Sequence, residues 1–318
     1  SLWRHTVGVS DEDMAEQIRR DGIDILVDLS GHTIGNRLAV FAHKPAPIQV
    51  TAWGHAHGTG LPTVDAFFAD PVQIPQSERP FYAETVVDLP CFLVYEAPDY
   101  APAVAPLPAL ATGTVTFGCF NRLDKISPEA RALWARVLAA VPGTRLLVKD
   151  TQLDSPETRQ RFAESLISLG LSGDRLDFLG GSPHHEHLAM FARVDIGLDP
   201  FPQTGGISTL EALWLGVPVV TIRGQTPASR NGAAINAALG LNEFIAETPE
   251  EYVAIAARTA ADLPRLASLR SDLRPRLSAS AVGNPALYTR SVETAYRDLW
   301  RGWCEREEEG RRKKTQHG

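Results

Sequence analysis

Residues 195–220 read DIGLDPFPQTGGISTLEALWLGVPVV, and this stretch decides the fold. The apolar run predicts a buried strand over 194–198, which a loop rich in Pro and Gly follows. A helix is predicted to open near Ser208, and a second strand to follow Gly216 and Pro218. Strand, loop, helix and strand in this order are the repeating unit of a parallel α/β sheet.

The loop of this stretch carries groups that suit an anion. Gly205 and Gly206 precede the hydroxyls of Ser208 and Thr209 at a predicted helix N-terminus, where free N–H groups and the helix dipole attract negative charge. Glu211 follows, and its carboxylate can accept hydrogen bonds from sugar hydroxyls, so the pattern suggests a nucleotide. A tight turn followed by a simple helix cap explains the same residues at least as well.

Strands and helices alternate along the whole chain. Turn signals bound apolar runs, and helical periodicity recurs between them. The predicted strands lie at 23–29, 48–53, 66–70, 86–90, 91–95, 114–120, 144–150, 175–180, 194–198, 217–222 and 243–246. The predicted fold class is therefore α/β, with doubly wound parallel sheets.

A Pro-rich stretch without periodicity, residues 97–113, is predicted to link two domains. We therefore expect a first domain in 1–108, a second in 109–284, a long helix with an aromatic stripe in 285–308 and a polar tail in 309–318. A length of 318 residues also favours two domains. The chain begins without Met, so we expect an upstream portion of the polypeptide.

Composition narrows the partners and the compartment. A net charge of −7 argues against nucleic acid as a partner, and no apolar run reaches the length of a membrane span. Cys91, Cys119 and Cys304 form no CxxC pair, so we expect neither a disulfide framework nor a zinc cluster. This cysteine usage fits a reducing, cytoplasmic compartment.

Two further loops of the second domain offer polar groups. Asn121, Arg122 and Lys125 follow the strand at 114–120, and a lysine at a strand's carboxyl end can neutralise phosphate. A solvated pair of Asp124 with Lys125 is an equally good interpretation.

The run SPHHEH at 182–187 places two histidines on one helix face and turns the third away. The two that share the face are His184 and His187, whereas His185 points elsewhere. Because the sequence places no further ligand beside them, we expect no metal there. A contact with the base or phosphate of a nucleotide is the better interpretation.

The first domain carries His32, His55 and His57 in loops at strand ends. Any of them could line a cleft and one could act as a general base, although a loop histidine is often only a surface residue. No GxSxG, GxxxxGK[ST] or GxGxxG motif follows a strand, which disfavours serine hydrolases, P-loop NTPases and common dinucleotide enzymes.

Three segments resemble the catalytic region of the O-linked N-acetylglucosamine transferases, which modify Ser and Thr of intracellular proteins. They are residues 31–60 with PAPIQ, residues 117–138 with FNxLxK, and the opening stretch together with GQTPASRNGAA. Their order and spacing match over about 21–303, as in a bacterial member. The resemblance implies a GT-B fold, with two Rossmann-like domains and a C-terminal helix at 285–308 that crosses back to the first. Residues 1–108 would be the later part of the acceptor-side domain, and 109–284 the nucleotide-sugar domain.

The resemblance also implies roles for individual residues. Lys125 would stabilise the diphosphate leaving group, Glu211 would bind the ribose, and His187 would lie against the nucleotide. Phosphates would lie at the helix N-terminus and uracil at 182–184. The implied donor site comprises Arg122, Ser182, Pro183, His184, His187, Gly205, Gly206, Ile207, Ser208, Thr209 and Glu211. The implied acceptor-side cleft comprises His32, Trp53, Gly54 and His55.

The implied reaction is inverting transfer from UDP-N-acetylglucosamine to a protein hydroxyl, without a metal or another cofactor. Helical repeats and a candidate base histidine are expected upstream of this chain. The chain departs from the animal enzymes at Arg122 (Gln there), His184 (Lys), Glu211 (Asp) and 206–208 (His-Thr-Thr). These departures leave open a GDP-fucose donor, an Asn acceptor, a nucleotide-sugar epimerase and a non-catalytic nucleotide-binding module.

Overall fold

A computed structural model describes residues 3–316 and divides them into two compact α/β units. Unit 1 contains the described residues up to Phe92 and those from Ala286 onward, and unit 2 contains Leu93–Pro285. The chain therefore leaves unit 1, builds unit 2 and returns to unit 1 with its last helix.

Unit 1 is built on four parallel strands that are adjacent in chain order. The two central strands are buried along their whole length, as expected for a parallel sheet that is covered on both faces. The strands are β1 (Ile25–Asp28), β2 (Ile48–Thr51), β3 (Ala66–Ala69) and β4 (Thr85–Asp88). The helices of this unit are α1 (Asp11–Arg20), α2 (Leu38–Ala42) and the C-terminal α11 (Pro285–Gln316).

Unit 2 is built on six parallel strands: β5 (Thr116–Cys119), β6 (Arg145–Lys149), β7 (Leu176–Leu179), β8 (Ile196–Leu198), β9 (Val219–Ile222) and β10 (Ile245–Ala246). Their order in the sheet is β10-β9-β8-β5-β6-β7, so the direction of winding reverses between β5 and β8. Loops that leave two such neighbouring strands in opposite directions open a crevice at the carboxyl edge, where doubly wound sheets bind ligands. The predicted α/β class with parallel sheets is confirmed.

The helices of unit 2 are α3 (Pro108–Thr112), α4 (Pro128–Ala140), α5 (Pro156–Ile167), α6 (His184–Ala189), α7 (Ile207–Trp214), α8 (Asn231–Ala238), α9 (Pro249–Ala261) and α10 (Leu263–Ala279). Ser127, Ser155 and Thr248 cap α4, α5 and α9 through their side-chain oxygens, each with Pro in the first turn. The sequence did not predict α10. An arginine, Arg270, occupies one of the buried positions of α10, and Pro275 lies inside it.

The division between the units lies at 92/93 and not at 108, because the Pro-rich stretch packs on unit 2. The Tyr95 N–H donates to the Val282 carbonyl at 2.7 Å, and Leu107 is buried. Arg274 donates to the Pro102 carbonyl. The predicted linker is therefore part of the body of unit 2, and residues 91–95, predicted as a strand, are irregular.

Helix α11 runs through most of the predicted polar tail. Residues 309–316 are helical, with Arg312 and Glu308 paired one turn apart at 3.8 Å, whereas 317 and 318 lie outside the described residues. The aromatic stripe of the helix packs on unit 1, where the Tyr288 hydroxyl accepts a hydrogen bond from Trp53 Nε1 at 2.8 Å. The last helix thus returns to the first unit, as predicted.

Two further observations concern cysteines and membranes. Cys91, Cys119 and Cys304 are free thiols, and the first two are buried. Within residues 3–316, no helix combines the length and the apolarity needed to cross a bilayer.

Arg270 joins α10 to two other segments of unit 2. Its side chain is 2% exposed and donates to the carbonyls of Ala105 at 2.7 Å, Val194 at 2.7 Å and Phe191 at 3.2 Å. Burial lowers the pKa of Arg270 to about 10, and the Asp195 carboxylate opposes that shift.

We predict that Arg270→Met lowers the free energy of unfolding by about 3 kcal/mol or more, because three buried carbonyls lose their donors. The control is Arg276→Met on the same helix, whose exposed pair with Asp272 contributes about 1 kcal/mol at most. Urea unfolding followed by tryptophan fluorescence measures both. Equal losses in the two variants would contradict this account of Arg270.

Candidate functional site

The carboxylate of Asp199, at the carboxyl end of β8, fixes the loop that leads to α7. Asp199 is 2% exposed, and its two oxygens accept hydrogen bonds from the Gly205 N–H and the Thr221 hydroxyl, both at 2.7 Å. Burial raises the pKa of Asp199 to about 6, while these hydrogen bonds and the charge of Lys125 act in the opposite direction. The carboxylate therefore ties the loop to β9 and sets where α7 begins.

Helix α7 begins without a side-chain cap. The Ser208 hydroxyl donates to Asn121 Oδ1 at 3.0 Å, and the buried Thr209 hydroxyl has no partner among the described residues. The first N–H groups of the helix are therefore open to a ligand. The simple cap, one of the two interpretations of the sequence, is not what the structure shows.

Glycine is required at position 205 by close contacts. A Cβ there would lie 2.4 Å from Thr209 Oγ1 and 3.0 Å from Asp199 Oδ1. At Gly206 a Cβ would lie 3.2 Å from Leu93 Cδ1. Gly205 thus lets the backbone lie close to Thr209 and Asp199, and Gly206 adds no side chain at the helix end, where Ile207 is half exposed.

Lys125 approaches the same loop from β5. It ends a 3-10 turn, Leu123–Lys125, and its Nζ donates to the Thr204 carbonyl at 3.2 Å. Burial lowers the pKa of Lys125, and the nearby Asp199 carboxylate opposes this. Asp124 pairs with the exposed Arg122 at 3.3 Å. The partner of Asp124 in the structure is therefore Arg122, whereas the alternative interpretation of the sequence paired Asp124 with Lys125.

Glu211 lies on the first turns of α7 between two histidines. It is 8% exposed, with Oε1 2.9 Å from His184 Nε2 and Oε2 3.7 Å from His187 Nε2. Burial raises the pKa of Glu211, but its interactions with His187 and His184 outweigh this effect, so the net shift is downward. The Tyr100 hydroxyl lies 2.8 Å from His184 Nδ1 and holds the other side of that ring. His185, in contrast, lies 3.8 Å from Glu186 and outside this cluster, as predicted.

Two cavities meet at Glu211. One, of about 630 Å³, is lined by residues 94–99, His184, Ile207 and Glu211. The other, of about 240 Å³, is lined by residues 120–122, 149–151, Gly181, Ser182, His187 and Glu211. Pro183, which is exposed, is the N-cap residue of α6, between Ser182 and His184 in the chain. The structure therefore brings the sequence-predicted donor residues to one edge of unit 2.

The residues predicted for the acceptor side lie in unit 1. The His32 and His55 rings are 5.6 Å apart, and His57 lies 5.4 Å from His55. Burial and these two neighbours lower the pKa of His57. The Trp53 indole N–H is occupied by Tyr288, and Gly54 lies against the Leu29 carbonyl, which a Cβ would approach to 2.0 Å.

The sequence did not single out three residues at this edge of unit 2: Tyr100, Lys149 and Asp199. Asp199 and Lys149 each end a buried strand, and a charged residue in that place is a signal that could have found them. Tyr100 lies in the stretch taken for a linker. Across residues 3–316, no three His, Cys, Asp or Glu side chains are placed to hold a metal ion.

Comparison with known proteins identifies the family. The profile of "Glycosyl transferase family 41" matches residues 7–96 and 107–292. The chain belongs to glycosyl transferase family 41. A Thermobaculum terrenum O-GlcNAc transferase mutant is 39% identical and aligns with a TM-score of 0.90, over 96% of this chain and 58% of that one.

Curated relatives of this family-41 chain include plant proteins. A tomato (Solanum lycopersicum) protein, "Probable UDP-N-acetylglucosamine--peptide N-acetylglucosaminyltransferase SPINDLY", is 40% identical over 96% of the chain and 33% of its own length. The Arabidopsis thaliana SEC protein with the same enzyme description is 29% identical over 93% of the chain and 31% of its own length. The chain thus spans about a third of the length of these relatives.

The fold of the family-41 chain extends to more distant structures. Anabaena HepE in complex with UDP and glucose aligns with a TM-score of 0.58 at 15% identity, over 90% of this chain and 81% of that one. Such a likeness shows the fold alone. Together with the two parallel α/β units and the return of α11, it confirms the predicted GT-B fold.

We predict that Asp199 makes stability depend on pH. Because burial raises its folded pKa to about 6, its contribution is full below the unfolded pKa and is lost as pH rises through about 6. Between about pH 4 and pH 7, the free energy of unfolding should therefore fall by roughly 3 kcal/mol more in the wild type than in Asp199→Asn.

Chemical denaturation at several pH values measures this difference. The exposed Asp272→Asn serves as the control and should follow the wild-type profile. Parallel profiles for wild type and Asp199→Asn would show that the raised pKa is not present.

Proposed function

We propose that this chain is the catalytic region of a protein O-glycosyltransferase that moves N-acetylglucosamine from UDP-N-acetylglucosamine to Ser or Thr hydroxyls. The observation that carries the proposal is the convergence of Lys125, the open N-terminus of α7 and Glu211 where the strand order of unit 2 reverses. The enzyme descriptions of the plant relatives and of the Thermobaculum protein support the donor and the acceptor class.

Lys125 and the helix N-terminus would act on the leaving group. When the bond between the sugar and the diphosphate breaks, negative charge grows on the released phosphate oxygen. A half-buried ammonium and oriented N–H groups stabilise that charge more than they stabilise the bound donor. Because these groups provide positive charge at the phosphates, we propose a reaction without a metal ion.

Glu211 and the two histidines would hold the nucleoside. A carboxylate that is kept ionised by His184 and His187 is a strong acceptor for the vicinal hydroxyls of ribose. The His187 ring, 5.5 Å from Phe120, offers an aromatic surface for the base.

We propose single displacement with inversion. The acceptor oxygen forms a bond to the anomeric carbon as the bond to the diphosphate breaks on the opposite face, and the acceptor proton passes to a base. On the donor side of this reaction, the enzyme has only to stabilise the leaving diphosphate. Lys125 and the N-terminus of α7 would provide that stabilisation.

Further proposals concern the setting of the enzyme. Because the matched relatives are about three times as long as this chain, we propose that a helical-repeat segment precedes it in the complete protein. Three free thiols favour a reducing compartment, and we propose the cytoplasm.

We predict that Lys125→Ala lowers transfer by about 100-fold or more, because a positioned donor to the leaving group is lost. The complete protein is incubated with labelled UDP-N-acetylglucosamine and cell lysate, and modified peptides are quantified by mass spectrometry. Arg193→Ala, which removes an exposed cation from the same unit, is the control and should transfer at the wild-type rate. Unchanged transfer by a folded Lys125→Ala protein would remove Lys125 from the mechanism.

Donor identity is tested by ligand-dependent stability. UDP and UDP-N-acetylglucosamine should raise the melting temperature, since at 100 times Kd a ligand adds about 2.7 kcal/mol to stability. Stabilisation by GDP and not by UDP would replace the donor with GDP-fucose. Turnover of UDP-N-acetylglucosamine without an acceptor would indicate an epimerase, and binding without any turnover a nucleotide-binding module.

A further inference from the structure

A buried lysine ends β6, and the proposed reaction makes no use of it. Lys149 is 5% exposed and lies at the carboxyl edge of the sheet, one strand away from β5. Its ammonium donates to the Gly180 carbonyl, which follows β7. Burial lowers the pKa of Lys149, and the carboxylates of Asp154, Asp150 and Glu186 oppose this.

Lys149 lines the cavity of about 240 Å³ beside Glu211. The rings of Phe120 and His187 form an aromatic side of this cavity, and Ser182 and Thr151 line it as well. A cavity with an aromatic wall and a few polar groups suits a flat heteroaromatic ring. Because Glu211, the residue proposed for the ribose, lies at its border, the base of the same nucleotide would reach it.

The region beside Lys149 is rigidly constructed. The Gly181 N–H donates to both oxygens of Asp154, at 3.2 and 3.1 Å. A Cβ on Gly180 would lie 1.8 Å from Asp154 Oδ1, so this loop is closed tightly against the carboxylate. The Gly180 carbonyl, and the ammonium that it holds, are therefore fixed in position.

The chemistry of the ammonium group determines which ring fits. A lysine has three N–H donors and no acceptor. Among the described residues, Gly180 is the one hydrogen-bond acceptor that Lys149 has within bonding distance. A carbonyl oxygen of a ligand would accept a hydrogen bond from one of the remaining N–H donors of the Lys149 ammonium. An amino group of a ligand would instead point its own N–H at this donor, and neither group would have an acceptor.

We propose that Lys149 selects nucleobases that carry a carbonyl oxygen, and not an amino group, on the edge that enters this cavity. The preferred bases are 4-oxo pyrimidines and 6-oxo purines, and the rejected ones are 4-amino pyrimidines and 6-amino purines. The inference rests on the proposed function, because it requires a nucleotide donor, and it adds the residue that reads the base.

The test uses two pairs of nucleotides that differ at this substituent: UDP with CDP, and IDP with ADP. Dissociation constants are measured by calorimetry for the complete protein and for Lys149→Met, which keeps the length of the side chain and removes the donors. The wild type should prefer UDP over CDP, and IDP over ADP, by about 10- to 100-fold, and Lys149→Met should bring each ratio to about threefold or less.

Lys125→Met is the matched control. Because it acts on the diphosphate, which all four nucleotides share, it should weaken all four alike and leave both ratios unchanged. Lys149→Arg keeps the charge and the N–H donors, so it should retain the preference for UDP over CDP and for IDP over ADP. This variant keeps the test valid if Lys149→Met does not fold.

The outcomes separate this inference from the function on which it rests. A wild type that binds the members of each pair alike overturns the selection, as does a Lys149→Met variant that keeps both ratios, while the nucleotide site itself still stands. A Lys149→Met variant that weakens all four nucleotides equally shows that Lys149 only shapes the pocket. A wild type that binds none of the four removes the proposed function.

Discussion

The hydrogen bonds of the buried Asp199 carboxylate are the interaction on which the carboxyl edge of the unit 2 sheet depends. One oxygen holds the Gly205 N–H and the other holds the Thr221 hydroxyl, so a single side chain joins β8, β9 and the start of α7. Gly232, near the start of α8, approaches the same carboxylate so closely that a Cβ would lie 2.2 Å from it. Because the Thr204 carbonyl in this loop accepts from Lys125, the position of the groups proposed to bind phosphate follows from the position of one buried acid.

Periodicity in the sequence was sufficient to predict the strands and helices that build this edge. Strands β5 to β9 are short apolar runs bounded by Gly, Pro and polar residues, and α4, α5 and α9 open on Ser or Thr followed by Pro. Local rules of this kind did not reveal α10, because Arg270 interrupts its apolar stripe. The buried guanidinium is satisfied by carbonyls of Ala105, Val194 and Phe191, which are distant in sequence.

Contacts with residues distant in sequence also explain why the predicted domain boundary at 108 differs from the one at 92/93. A Pro-rich segment without periodicity looks alike in sequence whether it crosses solvent or lies on a surface. Residues 93–108 lie on unit 2 because Arg270 and Arg274 bind their carbonyls, and Tyr95 pairs with Val282. The arginines that hold the segment are about 170 residues away.

Within the site, the sequence predicted the grouping of residues in local motifs, but it did not predict that Lys149 joins this group, which depends on strand order. Lys125 and the turn before α7 follow their strands directly, and His184 and His187 share a helix face, so their grouping could be expected. Lys149 joins them only because β6 lies beside β5, a long-range pairing that periodicity does not encode. Their roles in the reaction remain predictions that rest on chemistry and on similarity.

The most direct measurement is a crystal structure of the protein with UDP bound. The diphosphate should lie at the N-terminus of α7, with its oxygens within about 3.2 Å of backbone N–H groups at 207–208 and of Lys125 Nζ, and a ribose hydroxyl should bind Glu211. A diphosphate bound elsewhere, for example at the His32, His55 and His57 cluster of unit 1, would contradict the central claim.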